Sequence, residues 1–530
     1  MQSSRPESAG PGPGAARPAH VADLVAMAAA GRPDHEAIRD LATGTSLTWA
    51  AFDAAVGAEA RRLTEAGVGA GDRVVVVLPD GAAFCVAVLG AMRAGAAVVP
   101  VGTGSVPREL EIVFDQAGPT AVVADESERA AADAAAAVGA RLLAPPSTDA
   151  SAGAGSAAGG PVGGGESLAL IVFTSGTTGR PRGVQLSHRA LLANREQAAA
   201  LRPAPVTPVD RVMLALPLYH VYGMAAGMLQ VCWAGATVVL PGRFDPQDAV
   251  DAVVSERVSV VAGVPSMFRA LLDVPADRLR PALGGVRLCT SGGAPLPREW
   301  LAAFREATGL ELHEGYGLSE GGPVITSNDL GRPPKPGSVG RVLPGVELRL
   351  VDPDGNPLAS GTEGGDFRDD DDLAGDGSDP SEDTGLIALR GANLFSGYWP
   401  DSSGGPGEDG WFRTADVGYL DADGDLHLVD RSSDLVIVNG FNVYPREVEQ
   451  VIAELDAVAE VAVVGVPDDR TGAAVKAVVV PADDGLTEQA VREHCAARLA
   501  RFKRPAEVTF TDALPRTPTG KIARRRLARM

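Results

Sequence analysis

The strongest chemical signal in the sequence is a segment rich in hydroxyl side chains and glycine. It reads Phe173-Thr-Ser-Gly-Thr-Thr-Gly-Arg-Pro-Arg-Gly183 and begins on the last residue of an apolar run, Leu168–Phe173, that predicts a buried strand. Its glycines let the backbone curl closely around phosphate oxygens, and its hydroxyl and N–H groups are donors. Arg180 and Arg182 add positive charge. No Gly-Lys-Ser/Thr follows at the spacing of a Walker A loop, and a Gly/Thr surface turn is the alternative interpretation.

Hydrophobic patterning predicts the elements that position this segment. Predicted strands are Arg73–Leu78, Val98–Val101, Leu168–Phe173, Val258–Val264 and Val286–Cys289, and predicted helices include Trp49–Glu65 and Ala82–Ala94. Strand–helix alternation of this kind is typical of mainly parallel sheets covered by helices. We therefore predict an α/β fold, with a large N-terminal domain of parallel-rich sheets and a small, mobile α+β C-terminal domain.

A long uncharged stretch, Val212–Gly242, has two interpretations. It contains no Asp, Glu, Lys or Arg and is long enough on paper to span a bilayer. Proline, glycine and polar residues interrupt it, however, and they fit better with a buried strand at Val212–Leu216, a helix at Val221–Trp233 and a second strand at Ala236–Leu240. We predict this strand–helix–strand arrangement and no transmembrane segment.

The chain changes character after Asp430, where a compact α+β portion begins. Its predicted strands are Leu435–Val438, Val461–Val466 and Ala474–Val480, and its predicted helices are Pro445–Glu454 and Glu488–Leu499. This portion is long enough to form its own domain. The predicted organisation is a disordered tail over residues 1–20, an N-terminal domain over 21–430, a hinge over 431–434 and a C-terminal domain over 435–530.

Composition excludes several classes of function. The 530 residues carry a net charge of −21, and binding to a phosphate backbone needs clustered Lys and Arg, so we expect no nucleic-acid partner. The four cysteines are scattered without a CxxC pair, which predicts neither a disulfide framework nor a zinc site and favours a reducing, cytoplasmic setting. The segment Glu363–Asp383 is dominated by Asp and Glu. We interpret it as a solvated surface insertion, with metal binding by the acid cluster as the alternative.

The hydroxyl- and glycine-rich segment resembles the phosphate-binding signature of the adenylate-forming (AMP-binding) superfamily, which includes acyl-CoA synthetases, peptide-synthetase adenylation domains and luciferases. The similarity continues in order from about Ala22 to the C-terminus. Further matching segments are Leu216-Pro-Leu-Tyr-His220, Ser291-Gly-Gly-Ala-Pro295, Gly315-Tyr-Gly-Leu-Ser-Glu320, Trp411-Phe-Arg-Thr-Ala-Asp416, Asp430-Arg431 with Gly440-Phe-Asn-Val-Tyr-Pro445, and Pro515-Arg-Thr-Pro-Thr-Gly-Lys521. A single match arises easily by chance, whereas this many in the right order do not.

The resemblance implies an ATP and Mg²⁺ site built from these segments. The implied nucleotide-binding residues are Thr174, Ser175, Gly176, Thr177, Thr178, Gly179, Arg182, Gly293, Ala294, Gly315, Tyr316, Gly317, Ser319, Asp416, Arg431 and Gly440. Tyr316 offers a ring for adenine stacking, and Asp416 is suited to accept hydrogen bonds from ribose hydroxyls. Glu320 is a hard oxygen ligand for Mg²⁺, with Thr174 as the second implied metal ligand. Without the family context, Glu320 is an ordinary surface acid and Asp416 caps a turn before a strand at Gly418–Leu420.

Two further residues are implied to act in catalysis. Lys521 lies in a Pro/Thr/Gly loop near the C-terminus, where a lone lysine is normally exposed and inert. The resemblance makes it the lysine that reaches the substrate carboxylate and the α-phosphate, where its charge would offset negative charge in the transition state. His220 would line the junction between the acyl tunnel and the carboxylate, with a satisfied core histidine as the alternative. The predicted pocket walls are Val221, Gly223, Met224, Gly293 and Ala294.

The implied reaction forms an acyl-adenylate from a carboxylic acid and ATP, and then transfers the acyl group to coenzyme A. In the family the C-terminal domain rotates between these steps, Arg431 contacts ribose and opens the hinge, and Gly440 lies where a glycine lets pantetheine pass. The phrases at 291–297, 393–399 and 441–445 look most like fatty acyl-CoA ligases. A medium- or long-chain fatty acid is therefore the predicted substrate.

Several positions depart from the family pattern and keep alternatives open. Arg182 replaces the usual Lys, Ser319 the more frequent Thr and Ala415 a common Gly, while Ser433 stands where the hinge often has Asp or Lys. The acidic insertion is the largest departure. Fatty acyl-AMP ligases, which pass their product to an acyl carrier protein, also carry an insertion in this region and are the alternative function. A non-catalytic nucleotide-binding relative is a second one, and the oligomeric state stays open, a homodimer included.

Overall fold

The computed structural model of this chain divides into two compact units. The first comprises Met1–Glu347 and Arg390–Phe412, and the second comprises Leu348–Leu389 and Arg413–Met530. The structure describes residues 17–148, 160–175, 181–358, 384–431, 436–438, 441–443, 445–468, 472–483, 485–499, 501–516 and 522–530. The predicted acidic insertion and hinge residues 432–434 lie outside these ranges, and the predicted domain limits stay a prediction.

The elements follow in chain order. The first are α1 (Asp23–Gly31), β1 (Glu36–Asp40), β2 (Ser46–Thr48), α2 (Trp49–Glu65), β3 (Arg73–Val77), α3 (Ala82–Arg93), β4 (Ala97–Pro100), α4 (Pro107–Ala117), β5 (Ala121–Ala124), α5 (Arg129–Ala137) and β6 (Arg141–Leu143). Next are β7 (Leu168–Ser175), β8 (Pro181–Ser187), α6 (His188–Ala199), β9 (Arg211–Leu214), a π-helix (Tyr222–Leu229), α7 (Gln230–Ala234), β10 (Thr237–Leu240), α8 (Pro246–Ser255), β11 (Val260–Gly263), α9 (Pro265–Leu271), α10 (Ala276–Ala282), β12 (Leu288–Ser291), α11 (Arg298–Thr308), β13 (Leu312–Glu314), β14 (Thr326–Ser327) and β15 (Arg341–Val342). The last are β16 (Val346–Val351), β17 (Gly385–Gly391), β18 (Tyr398–Trp399), β19 (Phe412–Leu420), β20 (Leu426–Arg431), β21 (Val436–Val438), β22 (Phe441–Val443), α12 (Pro445–Ala453), β23 (Val458–Asp468), β24 (Gly472–Pro481), α13 (Glu488–Arg498), β25 (Glu507–Phe510) and α14 (Arg524–Leu527).

The first sheet of the first unit is predominantly parallel. Its order is β13-β12-β11-β9-β10-β1-β2, and only the β1–β2 pair at the edge is antiparallel. Side chains of its strands and of α8, α9 and α11 form one hydrophobic core, where Phe268 and Phe304 meet edge to face with ring centroids 5.4 Å apart. Burial on both faces explains why these strands are continuous apolar runs.

The second sheet of the first unit carries the hydroxyl- and glycine-rich segment. Its order is β18-β8-β7-β4-β3-β5-β6, with antiparallel pairing in β18–β8 and β7–β8 and parallel pairing elsewhere. Ile171 of β7 and Phe114 of α4 lie in its core, and Trp399 packs against that core. The predicted α/β class is confirmed. The strand predicted to end at Phe173 runs on to Ser175, because pairing with β8 extends it as a hairpin.

The predicted strand–helix–strand fold of Val212–Gly242 is present, with one correction. The helix is a π-helix over Tyr222–Leu229 before it becomes α-helical in α7. A Cβ at Gly223 would lie 2.2 Å from the Pro217 carbonyl oxygen, and glycine here allows that close approach. Short π-helical stretches are frequent at functional sites. Across the described ranges, none of the helices combines the length and the apolar character of a bilayer span.

The second unit is α+β, as predicted. A four-stranded sheet of order β16-β17-β19-β20 belongs mainly to this unit. A three-stranded sheet pairs β23 with β24 antiparallel and β24 with β25 parallel. Its core includes Val448 of α12, Val463 of β23 and Val491 of α13. The paired strands β21 and β22 precede α12 in the chain.

Candidate functional site

Several predicted segments leave the first sheet at one edge. Strands β11, β12 and β13 are parallel neighbours, with Gly263 opposite Ser291 and Ser291 opposite Glu314. The segments that begin at Ser291 and after Glu314 therefore lie side by side. The loop that carries His220 follows β9, which is the next neighbour of β11. Ligands of open parallel sheets bind at the carboxyl ends of the strands, so the topology gathers these segments where a small-molecule site is expected.

The His220 loop is held by backbone and carboxylate hydrogen bonds. His220 is half-buried in a bend before the π-helix, and its Nδ1 accepts a hydrogen bond from the Tyr222 N–H at 3.2 Å. Its carbonyl accepts from the Met224 N–H at 2.9 Å. Asp80 accepts from the Leu218 N–H at 2.7 Å, and burial raises the pKa of that carboxyl. Because Nδ1 is an acceptor, a neutral His220 carries its proton on Nε2.

Tyr222 covers the glycine pair after β12. Its hydroxyl donates to the Gly263 carbonyl at 3.2 Å. A Cβ on Gly292 would lie 3.3 Å from the Tyr222 ring carbon Cζ, and one on Gly293 would lie 3.9 Å from Cδ1. Burial raises the pKa of Tyr222 to about 12, so the hydroxyl is a protonated donor at neutral pH. Next to the predicted walls Gly293 and Ala294 the structure thus places an aromatic ring that sequence reasoning missed.

The Gly315–Glu320 segment is a tight turn whose glycines face protein backbone. A Cβ on Gly317 would lie 2.1 Å from the Pro323 carbonyl oxygen, and one on Gly315 would lie 2.8 Å from that of Thr326. The Tyr316 ring is buried, with 7% of its surface exposed. Its role in adenine stacking therefore stays a prediction. The glycines are explained locally, because any side chain at these positions would push the paired backbone away.

The turn that carries Glu320 is fixed from two sides. Asn194 brackets Val324, donating from Nδ2 to its carbonyl at 2.7 Å and accepting from its N–H at 3.0 Å. Asn393 donates to the carbonyl that follows Glu320 at 2.7 Å, and the Phe395 N–H donates to the Glu320 carbonyl at 2.9 Å. On sequence alone, the phrase at 393–399 is interpreted only as a family marker. The structure shows that its Asn393 side chain supports the Glu320 turn.

The strands that flank the phosphate-loop candidate, β7 and β8, pair antiparallel, and we refer to these two strands as the hairpin. Thr174 lies directly opposite Arg182 on β7 and β8. A Cβ on Gly183 would lie 2.9 Å from Ile171 Cγ2 and 3.1 Å from Trp399 Cβ, so this glycine makes room for neighbouring side chains. Thr174 is half-buried and Arg182 is exposed. The predicted residues Gly176, Thr177, Thr178 and Gly179, and the side chain of Ser175, lie outside the described residues.

Three side chains connect the hairpin to the Glu320 turn. The Tyr398 hydroxyl donates to Glu320 Oε1 at 2.7 Å. The Arg182 guanidinium lies over the Tyr398 ring, with Cζ 3.5 Å from the ring centroid. Burial first, and then the negative charge of Glu320, raise the pKa of Tyr398, so its hydroxyl stays protonated. Glu320 and Arg182 were both predicted as site residues, and Tyr398, which joins them, was not.

In the second unit, Asp416 lies on β19 opposite Arg431 on β20. Asp416 is buried, with 7% exposed, and its N–H donates to Thr414 Oγ1 at 3.1 Å. The alternative in which Asp416 caps a turn before Gly418–Leu420 is wrong, because the strand already begins at Phe412. The side chain of Arg431 and all of Gly440 lie outside the described residues.

Lys521 also lies outside the described residues, whereas both ends of its loop are described. Arg516 and Ile522 form an isolated antiparallel bridge, and the Ala523 N–H donates to the Pro515 carbonyl at 2.7 Å. Arg524 pairs with Glu449 at 2.6 Å. These contacts fix the two ends of the loop within the second unit.

Comparison with known proteins places these features in a family. The family model described as AMP-binding enzyme matches residues 25–399, and the model described as AMP-binding enzyme C-terminal domain matches residues 447–521. A feruloyl-CoA synthase from Amycolatopsis sp is 35% identical over 484 residues, which cover 90% of this chain and 93% of that protein. A long-chain-fatty-acid–CoA ligase, FadD13 of Mycobacterium tuberculosis, is 32% identical over 509 residues, covering 92% and 94%.

A solved structure gives the same picture. The crystal structure of ATP-bound MatB from Rhodopseudomonas palustris is similar to this chain with a TM-score of 0.86 and 34% identity. The similarity covers 96% of this chain and 98% of that one. Both units of the present chain are therefore part of the shared architecture.

Proposed function

The chain belongs to the AMP-binding enzyme family and is an AMP-forming acid–thiol ligase, and from this premise we propose that it activates a fatty carboxylic acid with ATP and Mg²⁺ and transfers the acyl group to coenzyme A. In the first half-reaction a carboxylate oxygen attacks the α-phosphorus of ATP, acyl-AMP forms and pyrophosphate leaves. In the second, the CoA thiol loses its proton and attacks the acyl carbon, the thioester forms and AMP leaves.

The observation that supports this proposal most is the shared carboxyl edge of β9, β11, β12 and β13. It brings the His220 loop, the Ser291 segment and the Glu320 turn to one side of one sheet. Phosphoryl chemistry depends on positioning and charge stabilisation more than on a protein nucleophile. An edge lined with loops and glycine turns supplies positioning of this kind.

The donor set fits a magnesium ion. Mg²⁺ prefers oxygen ligands, and Glu320 supplies a half-buried carboxylate of which Oε1 accepts from Tyr398. Among the described residues, no lysine, arginine or histidine forms an ion pair with Glu320. Thr174 on the neighbouring hairpin supplies a hydroxyl. When bound, the ion would neutralise charge on the ATP phosphates, and Glu320 and Thr174 are the residues we propose to hold it.

The remaining roles follow the family resemblance. We assign Asp416 to the ribose hydroxyls, because a buried carboxylate is a strong acceptor. Lys521 is assigned to the carboxylate and α-phosphate, where a positive charge stabilises the transition state. His220 is assigned to the carboxylate end of the acyl pocket, since Nε2–H is its donor when the ring is neutral.

The first candidate substrate is a medium- or long-chain fatty acid. The similar protein FadD13 is named for long-chain fatty acids. The π-helix beside His220 buries Met224, Ala225 and Met228, an apolar composition that suits an acyl chain.

The second candidate substrate is a compact aromatic acid, and Tyr222 favours it. Its ring lies over Gly292 and Gly293, where it would shorten the space left for a long acyl chain. Its hydroxyl is bonded to Gly263, so moving the ring aside costs a hydrogen bond. One similar protein is named for a feruloyl group, which is aromatic.

Pyrophosphate release and acyl-CoA formation, measured together across fatty, aromatic and dicarboxylic acids with ATP, Mg²⁺ and CoA, test the proposal. Both products with fatty acids would support the first candidate, and both with aromatic acids alone would support the second. Acyl-AMP and pyrophosphate without acyl-CoA would replace CoA by an acyl carrier protein as acceptor. A protein that releases no pyrophosphate with any of these acids would contradict the proposed activity.

A further inference from the structure

Tyr398 makes two contacts at once, one with each half of the candidate phosphate site in the first unit. Its hydroxyl donates to Glu320 Oε1 at 2.7 Å, and its ring face carries the Arg182 guanidinium at 3.5 Å from the centroid. Arg182 lies on β8 opposite Thr174 of β7, and Glu320 belongs to the turn after β13. A single side chain therefore contacts both the Arg182 guanidinium and the Glu320 carboxylate, which belong to two different sequence motifs.

The backbone holds Tyr398 in place. Strand β18 pairs with β8, with Tyr398 opposite Val184 and Trp399 opposite Gly183. Neighbouring residues of a strand point to opposite faces, and Trp399 donates from its indole N–H to the Gln116 carbonyl at 2.7 Å while packing on the core of that sheet. With Trp399 held against the core, Tyr398 is directed to the other face.

The Tyr398 ring is also held from the side. The ring of Phe395 meets it edge to face with centroids 5.1 Å apart. A phenol has two side-chain torsions, so a ring fixed by β18, by Phe395 and by Arg182 leaves its hydroxyl little freedom.

We propose that Tyr398 is a positioning residue for the metal–nucleotide complex, a role that rests on the proposed function. It holds one oxygen of the Glu320 carboxylate, so that the other oxygen keeps one orientation for a divalent cation. It also holds the Arg182 guanidinium, whose positive charge would be available to the ATP phosphates when the complex is bound. Arginine suits this task better than lysine, because its planar group stacks on an aromatic face. The departure from the family's lysine at this position thereby acquires a reason.

The electronic effect of the stack supports this role. A guanidinium over the ring face attracts the π electrons of the phenol, which makes its hydroxyl a stronger donor to the Glu320 carboxylate. The cation, the ring and the carboxylate thus form one polarised chain. Removing the Tyr398 hydroxyl and removing its whole ring are expected to affect ATP binding differently. The comparison therefore distinguishes a positioning role of Tyr398 from a packing role.

The test compares ATP binding by calorimetry with Mg²⁺ and with EDTA, in Tyr398→Phe, Tyr398→Leu and the wild type. Tyr398→Phe keeps the ring for Arg182, so its Kd for ATP in EDTA is expected within about twofold of the wild-type value. Its Kd for Mg·ATP is expected to rise about tenfold, since a hydrogen bond to a charged group is lost. Tyr398→Leu also loses the stack, so ATP binding is expected to weaken several-fold in both conditions.

Tyr419→Phe is the matched control, because it removes a phenolic hydroxyl from a ring that stacks on His427 rather than on these residues. We expect the control to bind as the wild type does. Unchanged Mg·ATP binding by Tyr398→Phe would overturn the inference, and so would an equal loss with Mg²⁺ and EDTA, which is the sign of a merely structural role. A wild type without magnesium-dependent ATP binding would instead overturn the proposed function and this inference with it.

Discussion

Asp416 and Arg431 are cross-strand partners on β19 and β20 of the second unit. They were predicted from motifs separated in the sequence, and the antiparallel pairing places them opposite each other. Directly opposite residues of an antiparallel pair lie within a few ångströms. Asp416 and position 431 therefore lie on the same face of this sheet. This is the arrangement expected if both residues bind ribose, as we propose.

Replacing Asp416 by Asn tests that role. The amide keeps the shape but loses the charge that strengthens hydrogen bonds to ribose, so we expect KM for ATP to rise roughly tenfold to a hundredfold, with KM for the acid within about twofold. A 2′,3′-dideoxy-ATP substrate should be disfavoured by the wild type and tolerated almost as well as ATP by the variant. Asp423→Asn, an exposed residue of the same hairpin, is the control. Equal discrimination by Asp416→Asn and the wild type would contradict the assignment.

Replacing Lys521 by Ala tests the proposed charge at the α-phosphate. Removal of one transition-state contact typically costs about a hundredfold to a thousandfold in rate, and we expect a fall of this size in acid-dependent pyrophosphate release. ATP binding should be retained. Arg526→Ala removes an exposed cation nearby and should leave the rate unchanged. A normal adenylation rate in Lys521→Ala would show that another residue supplies the charge.

Replacing Tyr222 by Ala tests whether its ring limits the acyl pocket. Without the ring above Gly292 and Gly293, acids with longer chains should gain in kcat/KM relative to compact acids, by roughly tenfold or more, as expected when several methylene groups find room. Tyr222→Phe removes only the hydrogen bond to Gly263 and should keep the wild-type preference. An unchanged chain-length profile in Tyr222→Ala would place the acyl chain elsewhere.

A pair of buried histidines predicts the pH dependence of stability. The ring centroids of His20 and His188 lie 3.8 Å apart, and each residue has 1% of its surface exposed. His188 Nδ1 accepts from the Val21 N–H at 3.0 Å, and His20 Nδ1 accepts from the Ala22 N–H at 3.0 Å, contacts that need both rings neutral. Burial lowers the pKa of His20 to about 4 and that of His188 to about 3.

The sign of the effect follows from proton uptake. Between the folded pKa values and the ordinary value of 6.5, the unfolded chain binds more protons than the folded protein. The contribution of the two neutral histidines to the free energy of unfolding is therefore complete above pH 6.5. This contribution falls as the pH drops toward 4, by at most about 1.4 kcal/mol per pH unit for each histidine. Urea unfolding at pH 7.5 and pH 5 measures it.

The double variant His20→Asn and His188→Asn is the control for that experiment, because asparagine can accept a backbone N–H without titrating. We expect the free energy of unfolding to differ less between pH 7.5 and pH 5 in the variant than in the wild type. The same pH difference in the variant and the wild type would assign the acid sensitivity to other groups.

The α/β class could be predicted because its signals are local. Strands buried on both faces are continuous apolar runs, and α2 occurs over Trp49–Glu65 as the pattern predicted. The π-helix at Tyr222–Leu229 could not be predicted, because the close approach of Gly223 to the Pro217 carbonyl oxygen, six residues earlier, is seen only in the folded chain. Hairpin pairing likewise extended β7 beyond the apolar run that announced it.

Candidate site residues that stand in sequence motifs were predicted, whereas those that act through contacts made only in the folded chain were missed. Glu320 and Arg182 stand in recognisable motifs, whereas Tyr398 is separated from both in the sequence and meets them only through the pairing of β18 with β8. Asn194 lies in α6 with no chemical motif around it, and its side chain brackets Val324 only in the folded chain. Roles that depend on long-range pairing therefore require the structure.

Product identification by mass spectrometry tests the central claim most directly. The protein would be incubated with ATP, Mg²⁺ and the acid that gives the most pyrophosphate, first without and then with CoA. We predict acyl-AMP and pyrophosphate without CoA, and acyl-CoA with AMP when CoA is present. Formation of ADP and phosphate, or of an acyl phosphate, would contradict adenylation and the account built on it.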